Sequence, residues 1–586
     1  MKITFVHSPV IHYDQNYGTL FSPLWAFTLA AHVPDDWDIE IIDCVIHDSI
    51  SIGRSDVFAF SGINQDIDSI RTTYDVLKRK YPGATFILGG PITWSLEQEG
   101  KLHLLEYFDY LFILDGERTL PQFLNRFVSG HDLLSERIIK AERFPMDNAR
   151  EIRFDLYTDQ ADQYYGSVIE VSRGCPFLCE FCDIRVLPGN NTSNNKDPNL
   201  IVLEMDKYYK LGVTQFQFAC DNFIGNVAWA RECVDAIIDW KSRNDAKISI
   251  FTWLTINLAN YPNLMEKMRY AGFSILFIGI ESVNKNSLLE TAKVQNDINL
   301  SQAVEIIQSY GFIIAPGFIF GFDSDSDTIF EDTLEFLRES GIIGGDPSFL
   351  TALPGTPLMK RMKDADRLID EWENATVRVK ISTNIQYLQD ANFLINGFIG
   401  FIRNYVKSSF QYERYQNHIE KVIKSGNFVP IDGEGYGSPF EYLKLQLREP
   451  KNRRMLLLRA LYLLYKPKNL FAVLRAWRIT KRAAKQGYSF NSNFNYWVYV
   501  WTNIGLKYWG LKRSDFSIES VGADFNYSLL LDNQNDKTPN TQSVTRKRGE
   551  VKSLEQKRYT DRALKNLVDK RLSNNKNIEN IISNNN

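Results

Sequence analysis

The sequence predicts an α/β protein in which two parallel-sheet domains are followed by a mainly α-helical domain. Short β-rich apolar runs alternate with helical patterns over roughly the first 360 residues. Beyond about residue 375 the β pattern fades, and long aromatic-rich helical patterns replace it. Alternation of this kind is typical of parallel sheets that carry helices on their faces. With 586 residues and 44% hydrophobic content, the chain is long enough for several cores.

The first domain is predicted over residues 1–145 and has a Rossmann-like order of elements. Its strand candidates are KITFVHS, IEIIDC, DVFAFSG, TFILGG and YLFILDG. Between the third and fourth candidates, the segment DIDSIRTTYDVLKRKYPG has helical spacing of its apolar residues and ends at Pro-Gly. This segment is therefore predicted to be a crossover helix.

The second domain, residues 160–365, continues the alternation in six further units. Its strand candidates are SVIEVSRG, QFQFACD, ISIFTWLT, LFIGIES, IIAPGFIFG and PSFLTALPGTP. Six units are too few for an eight-stranded barrel, but they suit a partial (β/α)6 barrel, in which chemistry takes place at the C-terminal strand ends.

The third domain, residues 375–531, is predicted to be helical from segments such as FLINGFIGFIRNYV and MLLLRALYLLY. Residues 532–586 have too little apolar content to offset the entropy of ordering. We expect a disordered tail there, with at most one charged helix.

Three cysteines, Cys175, Cys179 and Cys182, form a CxxxCxxC triad directly after a predicted strand. Because complete protein ligation of a 4Fe-4S cluster takes four cysteines, three leave one iron open to a ligand. Zinc is the alternative, but zinc sites usually combine CxxC pairs with a fourth Cys or His, and none is nearby. The triad is therefore predicted to hold a catalytic 4Fe-4S cluster.

The remaining cysteines, Cys44, Cys220 and Cys233, are expected to pack as small hydrophobic residues. Clustered cysteines indicate metal ligation in a reducing compartment and not a secreted disulfide framework. The N-terminus lacks the features of a signal peptide, and no segment is apolar enough to span a bilayer. The expected location is the cytoplasm.

The segment SRGCPFLCEFC, together with FACDNFIGN, LFIGIES and APGFIFGFD, closely resembles the radical S-adenosylmethionine (radical SAM) superfamily. The resemblance implies that S-adenosylmethionine binds the open iron and is cleaved by one electron to a 5'-deoxyadenosyl radical. It implies a ribose and methionine site at Glu281 and Ser282, and a GxIxG strand beside the adenine. The residues expected to bind S-adenosylmethionine are Phe181, Asp221, Asn222, Glu281, Ser282, Gly317, Ile319 and Gly321. An ordinary buried strand at GxIxG and a helix cap at Asp221–Asn222 are the alternatives.

A Rossmann-like domain directly before such a domain resembles the cobalamin-binding class of the same superfamily. The expected cobalamin-binding residues, which follow the third, fourth and fifth strand candidates, are Ser61, Gly62, Gly89, Gly90, Gly116 and Glu117. No DxHxxG motif is present, so no histidine ligand to cobalt is expected, and His7 and His12 are interpreted as polar loop residues. A degenerate domain that binds nothing is the alternative.

The segments SFLTALPGTPLMKRMKDADRLID and STNIQYLQDANFLINGFIGFIRNYV resemble the C-terminal region of hopanoid and other lipid-modifying methylases, so the resemblance covers roughly residues 1–425. It implies cobalamin-dependent methylation of an unactivated carbon in a small-molecule or lipid substrate, with an electron donor such as flavodoxin or ferredoxin. The alternatives are cyclisation, rearrangement, RNA modification, or a non-catalytic cobalamin- or membrane-binding protein. RNA methylthiotransferases carry further N-terminal cysteines, whereas this chain has only Cys44 there.

The net charge of −4 gives no global bias towards nucleic acid, which is not an expected partner. Between Lys451 and Lys485, however, eleven basic residues and no acidic ones are interleaved with Leu, Phe, Tyr and Trp. The eleven lie at positions 451, 453, 454, 459, 466, 468, 475, 478, 481, 482 and 485. Such a region fits peripheral contact with the anionic inner membrane surface. A solvated basic face over a local core fits equally well.

Overall fold

The computed structural model describes residues 1–9, 22–47, 51–129, 136–164, 166–296, 299–369, 381–431, 447, 450–532, 565 and 568–573. Its strands are β1 (Lys2–His7), β2 (Asp38–Asp43), β3 (Val57–Ser61), β4 (Thr85–Gly89), β5 (Tyr110–Ile113), β6 (Ile138–Lys140), β7 (Ser167–Glu170), β8 (Ser172–Arg173), β9 (Asn194–Asn195), β10 (Gln215–Ala219), β11 (Ser249–Leu254), β12 (Phe273–Glu281), β13 (Ile313–Phe320), β14 (Asp346–Phe349), β15 (Ile381–Tyr387) and β16 (Phe516–Ser520). Its α-helices are α1 (Leu24–Ala30), α2 (Ile67–Lys80), α3 (Pro91–Gln98), α4 (Gly116–Ser129), α5 (Phe154–Thr158), α6 (Pro198–Lys210), α7 (Val227–Asn244), α8 (Pro262–Ala271), α9 (Lys285–Glu290), α10 (Leu300–Ser309), α11 (Ile329–Ser340), α12 (Pro357–Asp364), α13 (Ala391–Tyr405), α14 (Ser408–Ser425), α15 (Pro450–Tyr465), α16 (Pro467–Ala484), α17 (Asn491–Lys507) and α18 (Leu529–Asp532).

The first sheet is six-stranded and fully parallel, in the order β2-β1-β3-β4-β5-β6. Helices α1 and α4 cover one face and α2 and α3 the other, so β1 and β3 are buried on both faces and read as continuous apolar runs. The strand order reverses between β1 and β3, which opens a crevice at their carboxyl ends. The Rossmann-like prediction is confirmed.

The second sheet is also six-stranded and parallel, and its order β14-β13-β12-β11-β10-β7 follows the chain. Along β13, the buried Phe318 and Phe320 alternate with Gly317 and Ile319, which are only partly buried. Partly buried side chains also alternate along β10 and β11. One face of this sheet is therefore packed under helices while the other faces a partial barrel lumen, as predicted.

The C-terminal region is mainly helical, but it also contains a two-stranded parallel sheet of β15 and β16. In β15, Thr383, Ile385 and Tyr387 are buried at alternate positions, the spacing that a strand requires. Two buried tryptophans help to fix the helices: Trp497 donates to Gln411 Oε1 at 3.1 Å, and Trp501 donates to the Val406 carbonyl at 3.0 Å.

The four domain limits predicted from the sequence stay predictions. The predicted disordered tail lies largely outside the described residues, although 568–573 are helical and Val568 packs against Ala365 and Leu388. Across the described part of the chain, no helix combines the length and apolar content that crossing a bilayer requires.

Candidate functional site

The cysteine loop leaves the second sheet directly after β7 and β8, and backbone contacts fix its shape. Gly174 has a φ of +90°, and a Cβ there would collide with the Thr192 carbonyl oxygen, so only glycine fits. The Gly174 amide donates to Asp221 Oδ2 at 2.5 Å, and the Cys175 amide donates to the Asn190 carbonyl at 2.8 Å. Asp221 therefore anchors the start of the loop and does not cap a helix.

The three thiols lie in a largely buried polar setting. Burial raises the pKa of Cys175, and raises that of Cys182 to about 12. Asn222 Nδ2 lies 3.8 Å from Cys175 Sγ, while Gln295 Nε2 donates to Cys179 Sγ at 3.2 Å. Metal coordination deprotonates a thiol outright, so a high pKa of the free thiols does not oppose ligation.

The cysteines are not arranged as ligands of one ion. Within the described residues, no three His, Cys, Asp or Glu side chains converge closely enough to hold a single metal ion. Zinc would draw its sulfur ligands to about 2.3 Å from one centre. A 4Fe-4S cluster takes each thiolate at a different iron, so its ligands need not converge on one centre.

A buried ion pair lies beside the triad. Lys293 Nζ is 2.5 Å from Glu281 Oε1, and both side chains are buried. Burial lowers the pKa of Lys293, but the Glu281 carboxylate and the nearby Cys179 more than offset this, so that the pKa is raised. Glu281 itself has a φ of +64°, an uncommon conformation for a non-glycine residue and one that often marks a functional position.

Three buried amide oxygens around the cysteines have no hydrogen-bond partner, namely Asn222 Oδ1, Gln295 Oε1 and Asn296 Oδ1. Buried polar atoms in native proteins are nearly always paired, so each orphan calls for an explanation such as a missing ligand. Together with the Glu281–Lys293 pair, they fit a polar ligand that carries amino, carboxylate and hydroxyl groups. These acceptor oxygens and the buried ion pair therefore fit S-adenosylmethionine beside a cluster.

The other residues predicted to bind S-adenosylmethionine occupy varied positions. Phe181 lies over Lys293, with the ammonium 5.7 Å from the ring centre, and Ser282 Oγ accepts from the Asn284 amide at 3.1 Å. Gly317 and Ile319 are on the lumen side of β13. A Cβ on Gly321 would collide with the Tyr387 ring, so packing against the C-terminal region also explains that glycine.

A cavity of about 240 Å³ lies at the carboxyl ends of the first sheet. Of the residues predicted to bind cobalamin, its lining includes Ser61, Gly89, Gly90, Gly116 and Glu117. The sixth, Gly62, is not in this lining, because α2 packs against it and a Cβ there would meet the Ile70 side chain at 2.6 Å.

The composition of this cavity also bears on cobalt ligation. Its described lining contains no histidine. His7 is mostly buried and accepts from Trp25 Nε1 at 3.2 Å, while His12 lies outside the described residues. Small residues at the strand ends and an apolar wall of Phe5, Leu24 and Trp25 would let part of a corrinoid, such as its nucleotide tail, approach the backbone closely.

Arg173 joins this cavity to the cysteine loop. Its guanidinium contacts Glu117 of α4 at 2.5 Å, Asp115 at 3.2 Å and Glu170 of β7 at 2.6 Å. It also lines the cavity and lies two positions before Cys175. One arginine therefore ties the carboxyl edges of both sheets together.

A second arginine anchors the other side of the loop. Arg361 of α12 holds both carboxylate oxygens of Glu180, at 2.8 and 3.0 Å, and contacts Asp323 Oδ2 at 2.6 Å. Arg367 makes a two-pronged contact with the same Asp323, at 2.7 and 2.9 Å. Burial raises the pKa of Asp323, but the two arginines outweigh it, and the pKa is lowered.

A cleft of about 870 Å³ opens where the first sheet, the barrel and the β15–β16 sheet meet. Asn64 and Gln98 line it from the first domain, Leu353 and Thr356 from the loop after β14, and Asn384 from β15. This cleft is at the carboxyl edge of both sheets.

Sequence reasoning missed the residues that support the site, namely Arg173, Glu180, Lys293, Gln295 and Arg361. Arg173 and Glu180 stand inside SRGCPFLCEFC, where their charge was a usable signal. Arg361 meets Glu180 across 181 positions of sequence, so no local pattern reveals their contact.

The fold and the cysteine site together define a protein that contains a radical SAM domain, and residues 169–337 match the model of the radical SAM superfamily. An uncharacterised methyltransferase of Synechocystis sp. is 31% identical over 60% of this chain and 65% of its own length. The hopanoid C-2 methylase of Rhodopseudomonas palustris is 28% identical over 63% and 69%. The chain thus spans about two thirds of each relative.

Solved structures agree on the architecture. The cobalamin-dependent S-adenosylmethionine radical enzyme OxsB, solved with aqua-cobalamin and S-adenosylmethionine bound, has a TM-score of 0.53 and 16% identity, covering 98% of this chain and 83% of its own. The predicted order of a Rossmann-like domain, a partial barrel and a mainly helical C-terminal region is confirmed.

Proposed function

We propose that the protein is a cobalamin-dependent radical SAM enzyme that methylates an unactivated carbon of a small-molecule or lipid substrate. The observation that carries this proposal is the junction of two sites. The cysteine triad, with its unpaired buried amides, and the cavity at the edge of the first sheet are joined through Arg173.

Each cofactor has residues that would hold it. Cys175, Cys179 and Cys182 would hold a 4Fe-4S cluster, and the residues at Phe181, Asp221, Asn222, Glu281, Ser282, Gly317, Ile319 and Gly321 are proposed for S-adenosylmethionine. Ser61, Gly62, Gly89, Gly90, Gly116 and Glu117 are proposed for cobalamin. When bound, the cluster supplies an electron to cleave S-adenosylmethionine, and cobalamin supplies a methyl carrier.

The protein's own groups then have definite tasks. Lys293, which is held by Glu281, would present a buried cation to the carboxylate of S-adenosylmethionine. The side-chain amide of Gln295 donates to the Cys179 sulfur. Hydrogen bonds to a coordinating sulfur raise the reduction potential of an iron–sulfur cluster by stabilising its more negative state. We place substrate entry at the large cleft after β14, because it lies at the carboxyl edge of both sheets.

The cysteine assignment is tested by anaerobic reconstitution. Wild-type protein should take up four irons per chain and form 5'-deoxyadenosine under strong reductant, as measured by iron analysis and mass spectrometry. Cys179→Ala should lose both properties. Cys233→Ala, which removes a thiol buried in α7, is the matched control and should keep them. Product formation by Cys179→Ala would contradict the ligand assignment.

Two further parts of the proposal concern cobalamin and partners. Because no described histidine lines the cavity, the cob(II)alamin form should show no axial splitting from a protein imidazole nitrogen in electron paramagnetic resonance. A one-electron donor such as flavodoxin or ferredoxin is needed to reduce the cluster, and a reconstituted flavodoxin system should replace the chemical reductant.

Comparing extracts of a deletion strain with its parent by mass spectrometry would identify the substrate. Peripheral contact of the basic C-terminal helices with a membrane is also proposed.

A further inference from the structure

Large apolar side chains are exposed side by side on the hairpin of α15 and α16. This group, which we call the apolar crest, consists of Leu457, Leu461, Leu464, Tyr465, Leu470, Phe471 and Leu474. Tyr465 and Phe471 are each 67% exposed and Leu464 is 60% exposed. Contiguous apolar surface of this kind on a folded protein marks an interaction site.

The spacing of the crest shows that it is one face of each helix. Leu457, Leu461 and Leu464 follow the i, i+4, i+7 pattern of α15, and the adjacent Leu470 and Phe471 lie one turn before Leu474 in the first half of α16. The two helices meet at Lys466 and Pro467, so both apolar faces end at the same turn.

The opposite faces of both helices are already packed into the protein. Tyr462 of α15 is buried against Gly505 and Trp501, and Arg459 donates to Asn503 Oδ1 at 3.1 Å. On α16, Thr480 is hydrogen-bonded to Tyr415 at 2.6 Å. The inner face of the hairpin therefore fixes it to the rest of the protein, and the crest residues do not contribute to that packing.

Exposed cations precede and follow the crest along both helices, without any acidic residue from the same segment. No Asp or Glu occurs from 451 to 514. The exposed cations between 451 and 485 are Arg453, Arg454, Lys466, Lys468, Arg475, Arg478, Lys481, Arg482 and Lys485. Of the eleven cations in the predicted basic region, Arg459 is buried, and the side chain of Lys451 lies outside the described residues.

We infer that the apolar crest inserts into the headgroup region of an anionic lipid bilayer, with the exposed cations on the lipid phosphates. A bilayer offers apolar chains below an anionic surface, which matches exposed apolar side chains on two helices that also carry exposed Lys and Arg. A second copy of this chain would instead bring the same cations face to face. Tyr465 and Trp509, whose rings lie 5.1 Å apart, are residue types that favour the membrane interface.

The test is co-sedimentation of the full chain with vesicles of phosphatidylcholine alone or mixed with phosphatidylglycerol. Wild-type protein should bind the mixed vesicles, and binding should weaken as salt is added. Leu464→Ser with Phe471→Ser should lower partitioning about a hundredfold, because withdrawing each side chain costs about tenfold. Lys481→Gln with Arg482→Gln should lower it by about twenty-fivefold, at about fivefold per charge.

A matched control removes exposed apolar side chains elsewhere. Leu203→Ser with Tyr270→Ser should bind as wild type does, since both residues are exposed on other helices. Brominated acyl chains should quench Trp509 fluorescence in wild type, and Trp509→Phe should lose that quenched component.

The inference is overturned if the protein does not bind phosphatidylglycerol vesicles at low salt. It is equally overturned if the crest variant, Leu464→Ser with Phe471→Ser, binds them as wild type does. It is also overturned by a lipid-free dimer, seen in sedimentation velocity, that the crest variant fails to form. None of these measurements needs a bound cluster, so their outcome is independent of the proposed enzymatic activity.

Discussion

Arg361→Gln should destabilise the cysteine loop, although Arg361 lies far from the cysteines in sequence. Its guanidinium grips both oxygens of Glu180, the residue after Cys179, and the Leu358 amide donates to the Glu180 carbonyl at 3.2 Å. Helix α12 therefore serves as the outer support of the loop, and Arg361 acts as a positioning residue.

The size of the effect follows from which contacts survive. Asp323 keeps its two bonds to Arg367, so losing Arg361 costs little there. Glu180 loses both of its charge-assisted bonds, each of which contributes about 1.5–3 kcal/mol. Because Arg361 and Glu180 are partly exposed, each lost bond is taken at the lower end of this range. The two bonds together then contribute about 3 kcal/mol, which is the lower limit of the cost of breaking a buried ion pair.

The assay measures the rate at which a chelator strips iron from reconstituted protein, together with the urea midpoint of unfolding. A cost of about 3 kcal/mol in holding the loop closed corresponds to iron loss about a hundredfold faster. Arg361→Lys keeps the charge but not the bidentate geometry, so its rate of iron loss should lie between those of wild type and Arg361→Gln. Lys360→Gln is the control on the same helix, since its exposed pair with Asp364 is worth at most about 1 kcal/mol. Iron retention by Arg361→Gln at the wild-type rate would refute the reasoning.

Two further predictions concern the glycine loop of the first sheet and a buried carboxyl of the second. Gly90→Ala should abolish corrinoid retention on gel filtration, because Gly90 has a φ of +86° and a Cβ would collide with Ser61 Oγ, whereas Gly83→Ala, at a position with open space, should retain it. Burial raises the pKa of Asp325 from 3.8 to about 7, so between about pH 4 and pH 7 the unfolded chain releases a proton that the folded protein keeps. The wild-type free energy of unfolding should therefore fall across that window, and Asp325→Asn, which can still accept from the Gly321 and Phe322 amides, should show a shallower fall in urea titrations. Equal slopes for the two proteins would contradict the assigned protonation state.

The first sheet was predictable because its central strands β1 and β3 are buried on both faces and so appear as apolar runs. The second was predictable because its short β-rich segments alternate regularly with helical patterns along the chain. Strand β6 was missed because it has only three residues and Ile138 and Lys140 are exposed. Strand β15 was missed although its alternation was visible, because the neighbouring helical patterns dominated the interpretation of that region.

The cysteine triad was predictable because its ligands lie within eight residues, so the spacing is a local signal. The groups that complete the site come from distant elements. Lys293 and Gln295 follow α9, more than 100 positions from Cys179, and an isolated Lys or Gln after a helix has no distinctive pattern. Gly62 shows why a glycine alone does not identify a binding site. Close packing by Ile70 excludes a side chain at this position, as the close approach of a ligand would, so the sequence does not distinguish the two causes.

The apolar crest bears on which of the two proposed substrate classes is correct. An enzyme held at a bilayer meets a membrane-dissolved substrate at raised local concentration, as for any second binding event that follows a first. It gains nothing for a substrate that is free in solution. The crest variant keeps every residue proposed to hold the cluster and S-adenosylmethionine, so its basal formation of 5'-deoxyadenosine in solution should equal that of wild type. If the substrate is a lipid, the same variant should lose kcat/KM only when that lipid is presented in anionic vesicles. Equal losses in detergent solution would contradict this reasoning, because they would show that the crest acts on turnover without a bilayer.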